Sequence, residues 1–191
     1  MIVAITGKKY TGKSTVADYL SCHYGFEPYA FAEPMKAAVK AIFGWDEQHV
    51  NGDMKEVVDP RWGISPRQAL QHLGTEWGQF ALPNYYKSMK NIDRRLWAYR
   101  FAYQWKDHDR WVISDLRFRH ELEVLEEIDD TTVIKIERKT GLPRDLHRSE
   151  ALANIRHDYL IKNDGTQEDL FSEVDRIVSV LCADSKCSVA S

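Results

Sequence analysis

Along the chain, short runs of consecutive apolar residues alternate with longer stretches in which apolar side chains return every three or four positions. Ile2–Thr6 is apolar on both faces, which predicts a strand buried within a sheet. Thr11–Tyr24 places Val16, Tyr19, Leu20 and His23 or Tyr24 on one face and predicts a helix. Pro28–Ala32 reads as a weaker strand, and Pro34–Phe43 as a helix with Pro34 suited to its first turn. Ser65 as N-cap, with Pro66 behind it, opens a helix whose stripe holds Ala69, Leu70, Leu73, Trp77 and Phe80. Met89–Lys106 predicts a longer helix loaded with aromatic residues and arginines. The spacing then predicts a strand at Trp111–Ser114, a helix at Arg119–Ile128 and strands at Thr132–Glu137 and Tyr159–Lys162. An amphipathic helix at Gln167–Cys182 closes the pattern. Residues 44–63 show no decisive period, and the tail 183–191 is expected to fray.

Strands that alternate with helices imply parallel strands joined by right-handed crossovers, so the expected fold is a three-layer α/β/α sandwich around a parallel sheet. Ligands of such sheets bind beyond the carboxyl ends of the strands. Three features fall at that edge: the turn after the first strand, the Ser114-Asp115 stretch and the loop after Glu137.

Composition narrows the class. The 191 residues fit one domain, expected over 1–182, with 43% hydrophobic and 29% charged residues, as in an ordinary globular protein. A net charge of −3 argues against general adhesion to nucleic acid, and no apolar run is long enough to span a membrane. The start of the chain lacks the basic and long apolar segments of a signal peptide. Cys22, Cys182 and Cys187 show no metal spacing and are expected as free thiols in a cytoplasmic protein.

The turn after the first strand carries chemistry. Gly7-Lys8-Lys9-Tyr10-Thr11-Gly12-Lys13-Ser14 fits G-x-x-x-x-G-K-[ST] in full, with a strand before it and a helix after it. A phosphate chain must lie against several backbone N–H groups, so side chains must stay clear and the backbone must take unusual dihedrals. Gly7 and Gly12 permit both, and the helix N-terminus adds partial positive charge. Lys13 is expected to reach the β and γ phosphates of ATP, and Ser14 to ligate Mg²⁺.

A phosphate loop alone does not name the reaction. Transfer onto another phosphate needs positive charge and alignment rather than a general base, because that acceptor is already mostly dianionic at neutral pH. Candidate cations are Lys9, Lys36, Arg67, Arg117, Arg138, Arg144 and Arg148. Asp115 is a candidate for water-mediated Mg²⁺ binding, for fixing a guanidinium or for the acceptor. Gly74-Thr75 interrupts a helical pattern, as close approach of a ligand or tight helix packing would require. Residues 138–150 have the composition of a basic lid, with Arg138 and Arg144 as its catalytic cations.

Several blocks, in order over most of the chain, resemble the bacteriophage deoxynucleoside monophosphate kinases. They are Ile5-Thr6-Gly7 with Lys9 and Gly12-Lys13-Ser14-Thr15, Ala32-Glu33-Pro34-Met35-Lys36, Arg67 with Leu73-Gly74-Thr75, and Trp97. Asp115-Leu116-Arg117 with His120-Glu121, His147-Arg148-Ser149-Glu150 and Ile161-Lys162-Asn163-Asp164-Gly165 complete them. The resemblance implies a P-loop kinase fold and ATP-dependent, Mg²⁺-assisted phosphorylation of deoxynucleoside 5′-monophosphates to diphosphates in the cytoplasm, the host's if the chain is viral. It implies ATP binding by Gly7, Gly12, Lys13, Ser14 and Thr15. Lys9, Lys36, Arg67, Gly74, Thr75, Trp97, Asp115, Arg117 and Glu121 would bind the monophosphate, with residues 34–106 as a helical acceptor region. The implied partners are small nucleotides, not nucleic acid or membrane, and a homodimer is among the expectations. A P-loop kinase of a non-nucleotide phosphate, such as phosphomevalonate, and a nucleotide-binding regulator stay open as alternatives.

Overall fold

The computed structural model describes residues 1–105, 110–139 and 155–184. In chain order the elements are β1 (Ile2–Thr6), α1 (Lys13–Tyr24), β2 (Glu27–Tyr29), α2 (Glu33–Phe43), α3 (Glu47–Val50) and α4 (Pro66–Gln71). A π-helix (His72–Ala81), α5 (Leu82–Tyr85), α6 (Leu96–Ala102), β3 (Trp111–Ile113), α7 (Arg119–Ile128), β4 (Thr131–Glu137), β5 (Tyr159–Lys162) and α8 (Gln167–Asp184) follow. Two compact units emerge: Met1–Tyr29, Lys106–Arg119 and Asp129–Ser191 form the first, Ala30–Trp105 and His120–Ile128 the second.

The first unit holds a five-stranded sheet of order β2-β3-β1-β4-β5 in which every pairing is parallel. β1 is central, which explains a strand apolar on both faces: its five residues are all buried. Val3 and Ile5 share a core with Val16, Ala17 and Leu20 of α1 and Leu170, Val174 and Ile177 of α8. Each fully buried aliphatic side chain there contributes about 1.5–3 kcal/mol. Tyr19 and Tyr24 of α1 both donate to Asp175 Oδ1 of α8, at 2.8 and 2.7 Å. Burial, then the Asp175 carboxylate, pushes the Tyr24 phenol up to about 12.

β2 lies earlier than the pattern predicts, at Glu27–Tyr29 instead of Pro28–Ala32. Its ladder begins where Glu27 N–H donates to Arg110 O at 2.7 Å, and Glu33 N–H to Ala30 O at 3.1 Å already turns the chain into α2. The phosphate-loop helix likewise begins at Lys13, after Gly12, rather than at Thr11.

In the second unit Val39, Trp45, Val50 and Ala69 form a core joined by Phe43, Ile64, Leu70 and Leu73. Within residues 44–63, featureless by period, one buried carboxylate ties the two ends together. Asp59 accepts from Trp45 Nε1 at 2.8 Å and from Arg61 Nη2 at 2.7 Å, and its backbone bridges to Ile64. The Arg61 guanidinium first, and the Trp45 indole second, hold the Asp59 carboxyl well below the usual carboxylate range. α4 begins as predicted: the Ser65 hydroxyl accepts from Gln68 N–H at 3.3 Å, and Gln68 Oε1 accepts from Ser65 N–H at 2.9 Å.

Two expectations fail in this unit. The stripe expected to carry Trp77 and Phe80 inward is broken by the π-helix, whose wider turns add a residue each and rotate the buried face. Gly74, Thr75, Gly78 and Gln79 are buried instead, and Trp77 is 45% exposed. The long helix expected over Met89–Lys106 is only α6, preceded by 3₁₀ turns at Lys87–Met89 and Asp93–Arg95. Asp93 has φ 48°, a left-handed conformation that no continuous right-handed helix contains.

Among the described residues, no helix is long and apolar enough to cross a membrane. Cys22 and Cys182 are free thiols, while Cys187 lies outside the described residues.

Candidate active site

The phosphate loop has the geometry its composition requires. Gly7 stands at φ 147° and Gly12 at φ 100°. A Cβ at Gly7 would lie 2.3 Å from Ile136 O, and one at Gly12 would lie 2.6 Å from Asn163 Nδ2, so both positions lack room for a side chain as well. Gly12 caps α1 without a side-chain hydrogen bond, and no acidic residue sits in the first turn. The orphan N–H groups of that turn and the positive end of the helix thus remain available to an anion. Lys13 Nζ donates to Lys8 O at 2.5 Å, and Thr11 Oγ1 donates to the same carbonyl at 2.9 Å. The ammonium is thereby folded back over the loop it belongs to. Tyr10 adopts φ 66° and is exposed, with Lys9 Nζ 4.8 Å from its ring centre.

Other candidates of the first unit leave the same edge of the sheet, because all its strands are parallel. Leu116 N–H donates to Ile5 O at 3.2 Å, which ties the Asp115-Leu116-Arg117 stretch to β1 just ahead of the loop. Asp115 and Arg117 are half-buried. Arg138 is exposed at the end of β4. Arg144, His147, Arg148 and residues 140–150 of the lid expected over 138–150 lie outside the described residues.

The second unit carries the rest of the residues expected for the acceptor. Lys36 pairs with Glu33 at 2.5 Å, and Arg67 Nε with Glu56 at 3.2 Å. Gly74 and Trp97 do meet: the Trp97 indole N–H donates to Gly74 O at 2.9 Å. Room at Gly74 is taken by Met35, whose Sδ would lie 2.5 Å from a Cβ there. Packing against the flexible Met35 side chain is thus one constraint on the glycine in this helix. Thr75 is buried in the π-helix and Glu121 in the first turn of α7.

Asn163 was left without a role by the sequence. It is buried, and its Nδ2 donates to Thr11 O of the phosphate loop at 2.9 Å. The next residue, Asp164, accepts from Lys139 N–H at 2.8 Å. The available signal was a polar pair directly after the last strand, at the edge where the loop also sits.

The chemistry of the donors fits a metal carried by substrate. Ser14 is exposed on the first turn of α1, and no cluster of three His, Cys, Asp or Glu side chains suited to a metal exists among the described residues. Mg²⁺ bound through one protein oxygen and several phosphate oxygens matches such a site better than a full protein cage.

A family model described as deoxynucleotide monophosphate kinase matches residues 1–63 and 51–174. A protein of Acanthamoeba polyphaga mimivirus, named as a candidate deoxynucleotide monophosphate kinase, is 33% identical over 183 residues, covering 91% of this chain and 94% of its own. The deoxynucleotide monophosphate kinase of Enterobacteria phage T4 is 27% identical over 162 residues, which cover 76% of this chain and 62% of the phage protein. A solved structure of a candidate kinase from Chloroflexus aurantiacus superposes with a TM-score of 0.51 at 13% identity, over 96% of this chain and 97% of its own, so the two share a fold.

Proposed function

The chain belongs to the deoxynucleotide monophosphate kinase family, and we propose from that premise that it transfers the γ-phosphoryl group of ATP to the 5′-phosphate of deoxynucleoside monophosphates. The phosphate loop supports the ATP half of this reading, with two glycines without room for a Cβ, a helix start without a side-chain cap and Lys13 in its first turn, and family membership supports the acceptor half.

An acceptor phosphate oxygen attacks the γ-phosphorus, the bond to the β–γ bridging oxygen breaks, and ADP and a deoxynucleoside diphosphate result. No proton need leave the acceptor, so no general base is required. Lys13 gives up Lys8 O and neutralises charge developing between the β and γ phosphates. Ser14 would hold Mg²⁺, which supplies further neutralisation of phosphate charge. Gly7, Gly12 and Thr15 present the loop to ATP. Lys9, Asp115 and Arg117, and Lys36, Arg67, Gly74, Thr75, Trp97 and Glu121, remain the residues proposed for the monophosphate, with Arg138 and Arg144 as further cations. Both units are read as parts of one kinase domain.

The test is an assay of ATP against the four common deoxynucleoside monophosphates, their ribo-counterparts and a non-nucleotide phosphomonoester. Transfer to at least one deoxynucleotide is expected. Transfer only to the phosphomonoester, or ATP binding without transfer, would overturn the reading.

A further inference from the structure

We propose that Asn163 is a positioning residue for the donor triphosphate, acting by locking one peptide of the phosphate loop. The proposal rests on the reading of that loop as the ATP site.

A loop that cradles phosphate must turn its N–H groups inward, so its carbonyls must turn outward and find other partners. Thr11 is 2% exposed, and its carbonyl has one in Asn163 Nδ2 at 2.9 Å. Asn163 is 7% exposed and is anchored by its own backbone, since its N–H donates to Glu137 O at 2.8 Å at the end of β4. The amide that holds the loop therefore extends from the sheet itself. In a trans peptide the C=O and the following N–H point opposite ways. Fixing Thr11 O on Asn163 fixes Gly12 N–H on the opposite side of the same peptide plane. Gly12 is also where a Cβ would meet Asn163 Nδ2 at 2.6 Å, so the amide packs directly on the residue whose orientation it sets.

The neighbouring residue extends the clasp. Asp164 Oδ1 accepts Lys139 N–H at 2.8 Å, so consecutive residues after β5 hold the phosphate loop and the chain leaving β4 beside Arg138. The assignment to the donor rather than the acceptor follows from the contact: the Asn163 amide donates to a peptide of the loop read as the ATP site.

The experiment measures ATP affinity directly by calorimetry, together with KM for ATP, KM for the acceptor and melting temperature, in Asn163→Ala and Asn163→Asp. Asn163→Ala is expected to weaken ATP binding about tenfold, the ratio set by one hydrogen bond of ordinary net worth, with acceptor KM unchanged. Asn163→Asp is expected to lose more, because an ionised carboxylate would face a carbonyl and stand near the triphosphate. ATP affinity unchanged in folded Asn163→Ala, or an equal loss for both substrates, would overturn the proposal. If the variants do not fold, the wild-type chain still decides by NMR. The Asn163 side-chain amide should exchange slowly with and without ATP, and Gly12 N–H should shift on ATP binding. Rapid exchange of that amide, or a Gly12 signal indifferent to ATP, would refute it. Because ATP binding is read without an acceptor, a wild-type chain that binds ATP but phosphorylates no deoxynucleotide would defeat the proposed reaction and leave this test standing.

Discussion

The indole N–H of Trp97 donates to the carbonyl oxygen of Gly74 across 2.9 Å, and the same ring lies where a Cβ on Gly78 would come within 2.7 Å of its Cζ2 atom. A ring that the family resemblance places among the monophosphate-binding residues thus holds α6 to the π-helix. Trp97→Phe keeps most of the ring but strands a buried carbonyl, so it should lower stability by about 1–3 kcal/mol. Urea unfolding followed by circular dichroism measures this. A loss below a few tenths of a kcal/mol would show that the bond carries no stability, and a changed ranking of deoxynucleotides in the folded variant would show that the ring face also meets the base.

Lys13→Ala should remove about 3–4 kcal/mol of transition-state stabilisation, a drop of two to three orders of magnitude in kcat. Its contact with Lys8 O lies within the loop, so the sheet and helices should survive. Parallel rate and melting measurements check both halves, and a near-normal rate in a folded variant would sink the assignment.

Gly7→Ala combines a backbone at φ 147° with a Cβ 2.3 Å from Ile136 O, a backbone atom of β4 that cannot rotate aside. The substitution should destabilise the first unit by more than 1 kcal/mol, the range of local backbone strain, and abolish ATP binding. Melting temperature and nucleotide titration report the two effects separately.

Arg67→Lys and Arg117→Lys should weaken every deoxynucleoside monophosphate alike, because the planar guanidinium grips a phosphate common to all of them. Measured kcat/KM over several deoxy- and ribonucleotides tests this. A reordered ranking would move these arginines from the phosphate to the base or sugar.

Asp59 gives the second unit a pH dependence of known sign. Arg61 and Trp45 lower its carboxyl in the folded state, so their stabilisation is complete above the unfolded value, about 3.9, and is lost as pH falls toward the folded one. Urea midpoints should therefore fall between pH 5 and pH 2. Asp59→Asn should be less stable at pH 7 and show a shallower fall, and equal pH profiles for the two proteins would exclude this carboxylate as the source.

The sequence by itself determined the features that depend on near neighbours. β1, α7 and β5 match their predicted bounds, because burial on a sheet or helix face imposes a local period. The phosphate loop and the Ser65 N-cap were legible for the same reason: each is complete within a few consecutive residues. Tertiary structure alone decided what distant residues do to one another. Residues 44–63 take shape around Asp59, whose indole partner lies 14 positions earlier. The π-helix overrides a 3.6-residue stripe, and the left-handed Asp93 interrupts the stretch that periodicity reads as one long helix. Trp97 finds Gly74 from 23 positions away and Asn163 finds Thr11 from 152, pairings that no periodicity encodes. A buried polar atom must be satisfied wherever the fold brings it, so its partner is chosen by the packing of the whole chain and not by the residues beside it.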